Sequence, residues 1–191
     1  MILTTVAAAR VHPPATDRSG ELAARADSSP DTDASAPRAR ARRVPVGADA
    51  RACSTLAHID YADAFVVGCE RAPDLTAEQW AHAIFDGAPA ALRRALRRGW
   101  FWLGLKLDRA PAERSVLGWE VKRSEPDLLL LGAGSRIGMP AELLLRRERD
   151  ALLFSTLVEH DNALVRAIWA RVEEPHLRIV ALILERGVSA S

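Results

Sequence analysis

Cysteine, lysine and aromatic residues are all scarce in this 191-residue chain, and each scarcity removes a class of function. Cys53 and Cys69, the two cysteines, make neither a disulfide framework nor a set of zinc ligands, so free thiols in a reducing cytoplasm are expected. Lysine occurs only at Lys106 and Lys122, and the arginines are balanced by acidic residues to a net charge of +1. Without a basic surplus there is no electrostatic footprint for nucleic acid, and no such partner is expected. Apolar runs such as LLLLGAG at 128–134 fall short of the roughly 20 residues that cross a bilayer. The apolar C-terminal segment is broken by Arg166, Arg171, Glu173, Glu174 and Arg178. The opening MILTTVAAAR lacks the basic start of a secretory signal, which makes a cytoplasmic location the expectation.

Catalytic motifs are missing too. There is no G-x-S-x-G, no H-E-x-x-H and no paired acidic motif, so neither nucleophilic nor glycosidic catalysis has motif support, and no metal or cofactor is expected. The glycines in LLLLGAGSRIG at 128–138 imitate a dinucleotide fingerprint, but Ile137 stands where its third glycine belongs. Beyond Glu159 only one long helix remains, leaving no parallel strands to complete such a unit. Gly132 and Gly134 suit a bulge or sharp turn instead.

All ten aromatic residues lie between Tyr61 and Trp169. Residues 1–58 have none, and are rich in Ala, Arg, Pro, Ser and Asp. This composition predicts a disordered low-complexity tail over 1–58, because such a stretch buries too little to offset its ordering entropy. The arginines at 38, 40, 42 and 43 read as solvated. A single domain over 59–187 follows, with 188–191 as a disordered end.

Within the domain, Tyr61, Asp63, Phe65 and Val67 alternate as a half-buried strand. Thr76 starts a helix with Gln79 in its first turn, and a second helix runs from Pro89 to about Trp100 with Leu92, Ala95, Leu96 and Gly99 on one side. Leu117, Trp119 and Val121 alternate in a strand, SEPD at 124–127 is a turn, and Leu128–Leu131 is a strand apolar on both faces. Pro140–Arg147 and Ala151–His160 form a hairpin. Asn162 caps a long helix, with a kink or break at Pro175 and a stop at Gly187.

This order predicts an α+β fold in which a curved antiparallel sheet wraps around the C-terminal helix. It resembles the START-like, polyketide-cyclase-like (SRPBCC) superfamily of helix-grip proteins. More narrowly, DYADAF at 60–65, WAHAIFDGAP at 80–89, SEPDLLLLG at 124–132, EHDN at 159–162 and EPHLRIVALILERG at 174–187 resemble an uncharacterised bacterial family, domain of unknown function 2867. The resemblance covers most of 59–187. It implies a cavity between sheet and helix that takes a small apolar, amphipathic or lipid-like ligand.

Parity and helical spacing name the candidate lining: Trp119, Val121, Phe154, Thr156, Val158, His160, Ile168, Trp169 and Val172. A cyclase- or isomerase-like enzyme would use a polar group there, such as His160 or Glu142, while a filled cavity would leave an interaction domain. The bland readings are that His160 is a hydrogen-bonded residue or cap, that His176 satisfies backbone groups around Pro175, and that Glu142 is exposed. The arginines at 93, 94, 97 and 98 beside Trp100, Phe101 and Trp102 form a solvated face that would also suit peripheral contact with a membrane.

Overall fold

The computed structural model describes residues 40–69 and 74–190. It is an α+β structure with an eight-stranded, curved, antiparallel sheet and a long C-terminal helix. The strands are β1 (Arg42–Val44), β2 (Tyr61–Gly68), β3 (Leu105–Lys106), β4 (Ser115–Val116), β5 (Trp119–Glu125), β6 (Leu128–Ser135), β7 (Ala141–Arg147) and β8 (Ala151–Val158). The helices are α1 (Ala48–Ala52), α2 (Ala77–Phe85), α3 (Ala90–Trp102) and α4 (Ala163–Ala190). The sheet order is β1-β2-β8-β7-β6-β5-β4, with β3 paired to the end of β6.

Hydrophobic alternation sets the inner face. Phe65, Phe154, Leu145 and Leu129 are successive cross-strand partners, and the same parity carries Leu131, Leu143 and Val158 inward. Two helices cover this face: α2 lies across β5, β6 and β7 and packs on α4, which crosses β2. Thr76 caps α2 through a reciprocal pair, its hydroxyl accepting from the Gln79 N–H and the Gln79 side chain accepting from its own. Asn162 caps α4, Oδ1 accepting from the Val165 N–H at 3.1 Å.

Several expectations are corrected. Residues 40–58 are not a disordered tail: β1 extends the sheet beside β2, and α1 lies on the outer sheet face. There Val46, Ala50 and Cys53 cover Leu128, Leu130 and Leu144, which explains why β6 is apolar on both faces. Composition hid this because the large apolar partners lie in the sheet, more than 70 residues away; burying each leucine stabilises by about 1.5–3 kcal/mol. Glu142 is buried, not exposed, and anchors the same segment by accepting from the Ser54 hydroxyl at 2.6 Å and from Thr55 through its N–H and hydroxyl. The expectation for residues 1–39, and that for residue 191, lie outside the described residues.

At the other end, Gly187 does not stop α4 and residues 188–190 are not disordered. The helix runs through Pro175 to Ala190, and Val188 is buried. Gly187 is small because α2 crosses there: a Cβ on it would lie 2.6 Å from Ile84 Cγ1 and 2.8 Å from Ile84 Cα. In α3, Leu92, Leu96 and Trp100 face the core while Ala95 and Gly99 are exposed. The 124–127 turn shortens to Pro126 and Asp127, since Ser124 and Glu125 still pair with β6. No helix among the described residues is long and apolar enough to cross a membrane.

Candidate functional site

One stretch of the inner face is polar. On β2, Tyr61 and Asp63 take the inward parity of Phe65 and Val67, and their cross-strand partners on β8 are Val158 and Thr156. From above, α4 lowers Trp169 and His176 onto them. His160, just beyond β8, completes the group by placing its ring 5.9 Å from that of Trp169.

Asp63 is the centre of the arrangement. Its side chain is fully buried; Oδ2 accepts from the Tyr61 hydroxyl at 2.8 Å and faces His176 Nε2 at 2.8 Å. A carboxylate in a core is sustained only by such partners. The rings around it touch in series: Tyr61 to Trp169 at 4.6 Å, Trp169 to His176 at 5.3 Å, and Tyr61 to His176 edge-on at 6.2 Å. Burial pushes the Tyr61 hydroxyl well above its usual range, and the Asp63 charge pushes it further, so the phenol stays a donor. Burial also lowers the pKa of His160, favouring its neutral ring despite the opposing pull of Asp60.

Four buried polar atoms in this group have no hydrogen-bond partner among the described residues: Asp63 Oδ1, Thr156 Oγ1, His160 Nε2 and Trp169 Nε1. An unpartnered buried polar atom costs about 1–3 kcal/mol. Four of them together rival the net stability of a domain, about 5–15 kcal/mol; outside this group the Trp80 and Trp119 indole N–H groups and the Ser155 hydroxyl are unpartnered as well. The set offers both donors, the indole N–H and the hydroxyl, and acceptors, the carboxylate oxygen and a neutral imidazole nitrogen.

The structure brings together four of the nine candidate lining residues, Thr156, Val158, His160 and Trp169. Phe154 shares their face but sits in the packed core, with its ring 6.1 Å from that of Phe85. Trp119 and Val121 lie across the sheet on β5, where Trp119 meets Trp100 edge-on at 5.4 Å. On α4, Ile168 and Val172 are half-buried, and Val172 packs against the core. Glu142 projects from the opposite sheet face, so it is removed from the acid–base candidates. His176 pairs with Asp63 rather than serving the backbone near Pro175.

Sequence reasoning missed Tyr61, Asp63 and His176 as a unit. A signal was present: Asp63 occupies an inward position in an otherwise apolar alternation, and a buried carboxylate demands a partner. The identity of that partner was not available locally, because His176 lies 113 positions away.

Two hollows open on the surface. One, of about 420 Å³, is lined by Arg43, Val44, Pro45, Val46, Arg51, Ala62 and Asp63. The other, of about 280 Å³, lies between the α2–α3 turn and the end of α4. No protein-family model, curated protein or solved structure matches the chain.

Proposed function

We propose that this protein is a small-molecule-binding module of the helix-grip kind, which holds an apolar or amphipathic ligand between the sheet and α4. What carries the reading is the four unpartnered polar atoms around Asp63 on an otherwise apolar inner face. The ligand's polar group meets those atoms, and its apolar body lies along Val158 and Val172. Two further features support the helix-grip assignment: the first long strand, β2, pairs with the last, β8, and the C-terminal helix crosses the sheet they belong to. The resemblance to domain of unknown function 2867 and to the START-like superfamily points the same way.

A second reading has its own observation. The Asp63–His176 pair, with Tyr61 on the same oxygen, is an oriented acid–base couple of the sort that moves a proton on a bound molecule. That reading makes the protein a cyclase- or isomerase-like enzyme.

Native mass spectrometry of the full chain purified from cells, followed by denaturing extraction, tests the first reading. The expected result is a reproducible bound mass that denaturation releases and that Thr156→Val weakens. A clean unbound mass, persisting after incubation with fatty acids and aromatic polyketides, overturns ligand binding and leaves an interaction domain. The second reading requires the extracted molecule to be converted by the wild-type protein and left unchanged by Asp63→Asn.

A further inference from the structure

His58, Glu159 and Asp161 meet where the chain approaching β2 passes the end of β8. A ring nitrogen of His58 and one oxygen of each carboxylate all lie within 4.8 Å of one another. Neither the binding site above nor the core uses these atoms. The EHDN motif at 159–162 supplies two of the three groups, and the third comes from a segment about a hundred residues earlier.

The surroundings orient each group. Nε2 of His58 lies 2.9 Å from Asp60 Oδ2. Asp60 is itself held, since the His160 backbone N–H donates to it at 2.7 Å. Glu159 is only 9% exposed; its Oε2 accepts from the Ala57 and His58 N–H groups at 2.9 and 3.4 Å. Its other oxygen, Oε1, faces His58 Nδ1 at 3.8 Å, beyond hydrogen-bonding distance. The Asp161 N–H donates to the Gly138 carbonyl at 2.9 Å, and its Oδ2 lies 2.8 Å from the point a Gly138 Cβ would occupy.

We propose that His58, Glu159 and Asp161 bind one divalent first-row transition ion, through one imidazole nitrogen and two carboxylate oxygens. Bond lengths near 2.0–2.2 Å put neighbouring ligand atoms of a tetrahedral ion about 3.4 Å apart, so the 3.8 Å gap closes with a shift of a few tenths of an ångström. The imidazole selects ions such as Zn²⁺ over Mg²⁺ or Ca²⁺, which prefer all-oxygen sites. Asp60 on the far nitrogen of His58 supplies the outer carboxylate that fixes the ring of a metal-bound histidine. With three protein ligands, the ion keeps a position open to solvent.

Calorimetric titration of the chelator-treated full chain with Zn²⁺, and with Mg²⁺ for comparison, tests the site. A single saturable Zn²⁺ site is expected, with Mg²⁺ much weaker. His58→Ala, at an exposed side chain, should weaken Zn²⁺ at least about tenfold, and Asp60→Asn should act in the same direction. His82→Ala, which removes another exposed histidine beside a carboxylate, should leave affinity unchanged. Absence of saturable binding, equal affinity in His58→Ala, or an equal loss in His82→Ala overturns the proposal.

Discussion

Nε2 of His176, in the middle of α4, sits 2.8 Å from Oδ2 of Asp63 in β2, and the side chain it meets is wholly buried. This contact joins the helix to the sheet through hydrogen bonding as well as packing. The two partners are not equivalent, because the Asp63 side chain is sealed while that of His176 retains 18% exposure.

Removing the histidine should therefore cost more than neutralising the acid. His176→Ala leaves a buried carboxylate with Tyr61 alone, and a loss of about 3–5 kcal/mol is expected. Asp63→Asn keeps the volume and a hydrogen-bonding side chain while releasing a histidine that water can reach, for about 1–3 kcal/mol. Urea midpoints at neutral pH check the order, and equal losses would contradict it.

Tyr61 is the chain's one tyrosine, so tyrosinate absorbance near 295 nm reports it alone. Burial first, and the Asp63 charge second, raise its pKa above the ordinary 10.0. A raised folded value contributes stability that is complete below the unfolded pKa and disappears as pH rises through the folded one. Between pH 8 and pH 11 the wild type should lose at most about 1.4 kcal/mol from this source, reduced by solvent screening at a half-buried ring, and Tyr61→Phe should not. The tyrosinate signal should rise together with unfolding, not before it.

Two helical glycines should respond in opposite ways to alanine. Gly187 meets Ile84, including its backbone, so Gly187→Ala should destabilise by about 1–3 kcal/mol. Gly99, exposed in α3 with nothing within 4 Å of its missing Cβ, should gain about 0.5–1 kcal/mol in Gly99→Ala. Thermal midpoints should move down for the first and up for the second.

Deleting everything before residue 59 should expose Leu128, Leu130 and Leu144 and leave Glu142 buried without donors. Compared with the full chain, the truncated protein should bind a hydrophobic dye and unfold at a lower temperature. An unchanged midpoint would show that the outer face needs no cover.

What could be read from local pattern was read because the physics is local. Period-two alternation placed β2 and the hairpin pattern β7 and β8, whereas Leu117, read as part of β5, lies in the turn before that strand begins at Trp119; Thr76 and Asn162 marked helix starts because their side chains satisfy N–H groups only three residues on. The inward parity of Thr156 and Val158, and the helical spacing that turned Trp169 to the sheet, followed from the same repeats.

The sequence by itself thus determined the α+β class, the type and order of the main elements and the face most side chains take. Only the tertiary structure decided that residues 40–58 belong to the fold, that Glu142 anchors them, that Asp63 meets His176, and that His58 stands beside Glu159 and Asp161. The last three of these join groups 88 to 113 positions apart. Such contacts depend on the β2–β8 register and on where α4 crosses the sheet, and a one-residue slip in that register would turn Asp63 to the opposite face.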